Sequence, residues 1–350
     1  MRFHALFIAI LFPSPLLLVA SGPGFVPSHI ADAKPQVEEA ALAKARELTE
    51  KSEFDEAETL TREFIAKNPS GAAGHFLLGL IYFRQVQSQA RSGGIYSAPG
   101  EVPSRAVNEE MRSAKIRASL AEFTEGAKFA RPSAFDLKIV ALDYILLGDY
   151  PSADKWLTLA VQEEPSDAES WYYLGRTKYG ENRFEEAIQA FQKSLELRPR
   201  NVLAGDGLGL SFAGLNRSAE AISAFQDAIS WQSGAAATQS PEPFIDLGDF
   251  LNQQGRFEEA LPVLQQAVAI GPRNIRAHEI LGRTLLNLDR LADAQHELEI
   301  AVSADADRAA LHYLLSQIYR KQGQMEKARK EMRRFQELKA KEPSSKSGMR

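Results

Sequence analysis

The sequence predicts an all-α protein, a solenoid of stacked helix–turn–helix units, and three observations carry that prediction. A 34-residue period runs through most of the 350-residue chain, as expected where one supersecondary unit is stacked many times. In phase with it, one column of small residues reads Ala57, Ala153, Ala187, Ala221, Ala260, Ala294 and Ala328. A second, twelve residues earlier, reads Ala45, Ala141, Gly175, Gly209, Gly248, Gly282 and Ser316. Between the two falls a residue suited to a left-handed turn: Ser52, Gly148, Asn182, Asn216, Gly255, Asp289 and Gly323. The pattern is helix, turn, helix, stop.

At the start of the chain, Arg2 precedes an apolar stretch from Ala5 to Ala20, broken only by Ser14 and two prolines. It is shorter than the roughly 20 residues a spanning helix needs, and small residues follow at Val19-Ala20-Ser21. This reads as an export signal over 1–21, with a second small-x-small site at Ala31-Asp32-Ala33 extending it to 33. An uncleaved inner-membrane anchor is the alternative. In the hairpins that follow, the small columns let two helices approach closely. Four residues past six of these alanines, Leu157, Phe191, Phe225, Leu264, Leu298 and Met332 lie one turn further along the same face and fill the core. Pro69, Pro165, Pro199 and Pro272 end second helices, while Ser133, Asp167, Asn201 and Asn274 cap the next ones. Ser240-Pro241 does the same with proline in the first helical position. A lone hairpin cannot bury its apolar face, so each must stack on its neighbours.

One unit is longer than the rest. Between Tyr82 and the next small-column candidate, Ser119, the chain carries 28 extra residues. Arg84 to Arg91 and Ser104 to Arg117 are helix-compatible, but the Gly/Pro-rich segment 93–100 is not, which predicts an extended hairpin near 84–117 with a projecting tip. At the other end, residues 320–350 hold eleven Lys/Arg and four Glu. The basic face is most simply the solvated side of an end helix, with weak contact to an anionic surface as the functional alternative. Residues 343–350 are expected to be disordered.

These residues resemble the tetratricopeptide repeat family. The unit at 168–201 is nearest, with Trp171, Leu174-Gly175, Tyr179, Phe184, Ala187, Phe191 and Pro199 at or near signature positions. The resemblance spans 38–342 and implies eight repeats, at 38–71, 72–133, 134–167, 168–201, 202–235, 241–274, 275–308 and 309–342, wound as a right-handed α-solenoid. Phe64 and Phe335 replace a usually small residue in the end repeats, and residues 236–240 form a spacer.

The chemistry points to binding rather than catalysis. A net charge of −5 excludes a globally basic nucleic-acid binder, and no nucleic-acid partner is expected. With no cysteine, disulfides, thiolate metal sites and thiol nucleophiles are excluded. There is no P-loop, nucleotide-binding glycine fingerprint or nucleophile elbow, and His296-Glu297 lacks the second histidine of a zinc-protease helix. His75, His278 and His312 share one repeat position and read as packing residues without a phased carboxylate partner. Glu185-Glu186 and Glu258-Glu259 begin second helices, where they favour the helix dipole. No catalytic, cofactor or metal site is nominated.

By the resemblance, the second, fifth, ninth, twelfth and thirteenth positions of each repeat line a concave groove. Carried over, these give Phe76, Leu80, Phe83, Phe135, Lys138, Leu142, Ile145, Tyr172, Arg176 and Tyr179 in the second to fourth repeats. The sixth to eighth present Glu242, Asp249, Asn252, Gln253, Glu279, Arg283, Gln317, Arg320 and Lys321. A lysine–asparagine carboxylate clamp is absent, since Lys138 is followed by Leu142 four residues on. The expectation is a non-catalytic scaffold or adaptor in the bacterial cell envelope, periplasmic or secreted, holding an apolar or aromatic protein or peptide segment. A structural subunit of a secretion or polymer-export machine, or an enzyme built around the insertion, are the alternatives. So large an apolar wall would be an exposed patch unless covered, and the insertion tip with Ile95 and Tyr96 is a candidate cover.

Overall fold

A computed structural model describes residues 33–92, 105–232 and 239–341. The expected export segment, insertion tip and C-terminal tail lie outside the described residues. Those described form sixteen α-helices and no strand, paired as eight successive hairpins. They are α1 (Ala33–Glu50) with α2 (Phe54–Lys67), α3 (Ala72–Ser92) with α4 (Arg105–Gly126), α5 (Ala134–Leu146) with α6 (Tyr150–Glu163), and α7 (Ala168–Gly180) with α8 (Phe184–Leu197). Then come α9 (Val202–Gly214) with α10 (Ser218–Ser230), α11 (Glu242–Gln253) with α12 (Phe257–Ile270), α13 (Ile275–Asn287) with α14 (Leu291–Ala304), and α15 (Ala309–Lys321) with α16 (Met325–Lys341).

All seven turn-column residues take the left-handed conformation, with φ of 58° to 65° at Ser52, Asn182, Asn216 and Asp289 and 72° to 75° at Gly148, Gly255 and Gly323. The next residue then donates its amide to the carbonyl five positions back, as Arg183 N–H does to Lys178 O (2.9 Å), which closes a first helix in Schellman fashion. Arg200, at φ 61°, also adopts this conformation. It lies between units rather than within one, so the turn column did not flag it. The expected caps form: Ser133 and Asp136 make a reciprocal capping box, and Asp167, Asn201 and Asn274 accept from the amides of their own first turns. Ser240 Oγ accepts from Glu242 N–H at 3.3 Å, but α11 begins at Glu242, so Pro241 is the residue before the helix and not, as expected, its first helical position.

The small column on the first helices, which holds Gly175 and Gly209, faces a large residue, not a small one. A Cβ built at Gly175 would lie 2.7 Å from a Phe191 ring carbon, and at Gly209 2.6 Å from Phe225. The missing side chain is the seat for the core residue of the same hairpin. Leu157, Phe191, Phe225, Leu264 and Leu298 are accordingly all buried. Met332, in the last hairpin, is only half-buried.

Which side of the stack is inner follows from the helix contacts. First helices pack on each other in an unbroken row, α1 to α3, α3 to α5, and so on to α15, whereas among the described residues second helices do not pack backbone to backbone, and α2 meets α4 through side chains such as Glu58 and Lys115 (3.7 Å). The stack therefore curves with its first helices on the concave side. The long unit is built from helices of 21 and 22 residues, and Ser119 Oγ donates to Gly79 O at 2.9 Å where they cross. Beside this joint, on α5, Asp143 is fully buried and neither carboxyl oxygen has a hydrogen-bond partner. The nearby Ser119 hydroxyl has given its proton to Gly79, so it tempers the cost only slightly. Burial pushes the Asp143 carboxyl up to about 8.

Candidate functional site

The inner wall divides into an aromatic half and a charged half. In the aromatic half, Tyr172 and Tyr179 of α7 are half-buried, Arg176 stands exposed between them, and its guanidinium lies 5.8 Å from the Tyr172 ring centre. Tyr172 also packs on Tyr173 (5.1 Å between ring centres) and Phe191 (6.0 Å), and Tyr179 on Phe184 (5.6 Å). Burial raises both phenols, and the charge of Asp206 acts in the same direction. Arg84, on the extended end of α3, acts on the Tyr173 phenol, so the long unit reaches toward the wall of α7.

Several expected groove residues are placed otherwise. Phe83 is a core residue, 2% exposed and packed between Phe123 of α4 and Ile139 and Val140 of α5. Phe76 stacks on Phe123 at 6.1 Å, and Leu80, Leu142 and Ile145 are half-buried against core clusters. Phe135 alone of the nominated wall is an exposed large apolar side chain. The extended apolar patch that would need the tip as cover is therefore not formed by these residues. Lys138 is buried, its Nζ bonded to Asp167 (2.9 Å) and Glu169 (2.8 Å). Burial alone would lower its pKa, but the two carboxylates outweigh it and hold the ammonium charged. Its charge is thus spent on joining α5 to the next repeat.

In the charged half, Arg276 of α13 donates to Glu242 (3.4 Å) and Asp246 on α11, and Arg283 pairs with Asp249. Asn252 and Thr284 bond each other at 2.7 Å between α11 and α13, and Arg308 pairs with Glu279 at 2.8 Å. Gln253 and Arg320 are exposed, Gln317 is half-buried, and Lys321 pairs with Asp289 at 2.9 Å. Asp206, Asp246 and Arg276 belong to this wall but were not read from the sequence. Asp206 and Arg276 occupy the fifth and second positions of the fifth and seventh repeats, so the same positional rule applied to those repeats would have found them.

The three phased histidines do have phased carboxylates, contrary to expectation. Nδ1 of His75, His278 and His312 meets Glu122 (2.8 Å), Glu297 (2.6 Å) and Glu331 (2.6 Å), while each Nε2 meets a carbonyl of the preceding inter-repeat turn. The bond to Glu297 raises the His278 pKa against the effect of burial. Each module pins the two helices of a hairpin to the turn before it. Among the described residues no cluster of three His, Asp or Glu could hold a metal, and no helix is long and apolar enough to cross a membrane.

This repeated hairpin with an inner wall of first helices defines a class of helical repeat protein, and the family comparison agrees. Tetratricopeptide repeat models match residues 42–90, 168–201, 207–275, 251–318 and 309–342, more than half of the chain. The chain belongs to the tetratricopeptide repeat family. Curated relatives match only in part: the PEX5-related protein of Mus musculus is 35% identical over 81 residues, 23% of this chain and 14% of that protein. Superkiller protein 3 of Saccharomyces cerevisiae is 24% identical over 109 residues, 31% of this chain and 7% of that one. Among solved structures, a tetratricopeptide repeat protein from Parabacteroides merdae aligns over 81% of this chain and 99% of its own, with a TM-score of 0.56 and 17% identity. PilW, titled a type IV pilus biogenesis factor, aligns over 62% and 97% with a TM-score of 0.53 and 21% identity. At these identities the likeness is one of fold.

Proposed function

We propose that the chain is a non-catalytic scaffold that holds an extended protein or peptide segment along the inner wall of the solenoid, in an extracytoplasmic compartment of the bacterial envelope. The observation that carries the binding role is the unbroken row of first helices, whose inner face exposes Phe135, Leu203 and Arg176 beside the half-buried Tyr172 and Tyr179. Family membership supports it, since such repeats are protein-interaction modules. Arg2, the apolar stretch 5–20 and Val19-Ala20-Ser21 support export.

A photo-crosslinking residue at Arg176, on the inner wall, should capture a partner in cells, whereas one at Glu196, exposed on α8, should not. Equal capture from both positions would overturn the groove assignment. Residues 1–40 fused to a reporter active only outside the cytoplasm should give activity, and an inactive cytoplasmic fusion would refute export.

A further inference from the structure

Resting on the groove reading, we infer that the inner wall holds a socket for one cationic side chain, an Arg or Lys of the bound segment, formed by Asp206 with Asp246 and the phenols of Tyr172 and Tyr179. Four carboxyl groups meet here, Asp206 from α9 and Glu242, Asp246 and Asp249 from α11. Three of them are provided for within the protein. Glu242 accepts from Asn274 (3.1 Å) and Arg276 (3.4 Å), Asp246 accepts from Arg276, and Asp249 accepts from Arg283. Asp206 is not. It is more than nine-tenths buried, and its Oδ1 has no hydrogen-bond partner.

An orphaned buried carboxyl oxygen is costly, and two adjacent carboxyls cannot both ionise without a counter-charge. Burial, and next the charge of Asp246, push the Asp206 carboxyl far above the usual carboxylate range. Arg276 opposes this only weakly, because its fork is committed to α11. What the cluster lacks is one more cation with N–H donors.

The surroundings suit that cation. Asp206 takes the fifth position of its repeat, the position Tyr172 takes one repeat earlier, so its carboxyl belongs to the same inner wall. The helix that carries it, α9, packs on α7, which carries Tyr172 and Tyr179, and its charge acts on both phenols. Aromatic faces favour a guanidinium or ammonium that is partly desolvated. Leu203 (52% exposed) and Phe135 (44% exposed), each at the second position of its repeat, offer apolar rests for neighbouring residues of the segment. The ligand is therefore an extended segment with a basic residue among apolar ones, rather than an apolar one throughout.

Immobilised nonapeptide libraries with a fixed centre of Arg, Lys, citrulline, norleucine or Glu and mixed flanks test this directly. Arg and Lys centres should retain at least tenfold more protein than the other three, and Asp206→Asn should erase the preference while leaving retention by apolar flanks. In the unaltered protein the preference should grow from pH 6 to pH 9 as Asp206 gives up its proton. The charged or titratable groups that act with it are Asp246, Glu242, Arg276, Tyr172 and Tyr179, and Arg176 stands between the two tyrosines on α7. The pH comparison needs no substitution, so it decides the matter even if Asp206→Asn misfolds. Equal retention of Arg and citrulline centres, still sensitive to Arg176→Glu, would overturn the socket and leave the groove standing. No retention by any centre would overturn both.

Discussion

Asp143→Asn should make the protein more stable at neutral pH and less dependent on pH. Asp143 is fully buried with both oxygens unpartnered, and burial lifts its carboxyl to about 8. An unfolded chain releases that proton near pH 3.9. Because the folded pKa is the higher one, stability is fully present below about pH 4 and is lost as pH rises toward 8. At pH 7 keeping the group protonated costs about 4 kcal/mol, taking about 1.4 kcal/mol per pH unit between the two pKa values. The substituted amide keeps the shape and never ionises, but it is itself a buried polar group lacking partners, at about 1–3 kcal/mol. The variant should therefore gain about 1–3 kcal/mol at pH 7 and lose its advantage below pH 4. Urea unfolding followed by far-ultraviolet circular dichroism from pH 4 to pH 9 measures both proteins. The difference between the two curves isolates this one group, and curves that run parallel would refute the reasoning.

Gly175→Ala should cost about 1–3 kcal/mol by pressing on Phe191, since the new Cβ would lie 2.7 Å from its ring. In a double-mutant cycle Phe191→Leu should recover part of that loss, and strict additivity would mean the close approach is unimportant. Glu297→Gln should lower the His278 pKa measured by NMR, because the carboxylate is the largest contribution raising it. In the parent protein that contribution is complete below the unfolded histidine value near 6.5 and fades as pH rises through the folded one. An unchanged His278 titration would contradict the pairing.

Turn residues were legible in the sequence because a left-handed backbone admits few residue types, and all seven nominated positions adopt it. The caps were legible for a similar reason, a short polar side chain just before an apolar helix. Phe83 was misplaced because the twelfth position does not always face the groove: its counterparts Asn252 and Leu286 are buried as well. Lys138 was read as an exposed charge since its partners lie 29 and 31 residues away, across a repeat boundary. The histidine partners were more accessible than that. His278 and His312 each find a glutamate 19 residues on, a constant spacing, while His75 finds Glu122 only after 47, with the 28-residue insertion between them. Asp206 holds a groove position by the same rule, but its burial was not legible, since helices of the neighbouring repeats pack on α9.

A stack in which each second helix packs on the next first helix, while the first helices also meet in a row, behaves as a leaf spring. Second helices do not pack backbone to backbone, so the seam of first helices, with ties across it such as Asn252 to Thr284 and Arg276 to Asp246, bears on curvature. Lengthening or shortening that seam bends the whole body while every hairpin stays intact. A segment laid along it acts where leverage is greatest, and stiffness becomes a property of the occupied molecule rather than of the chain alone.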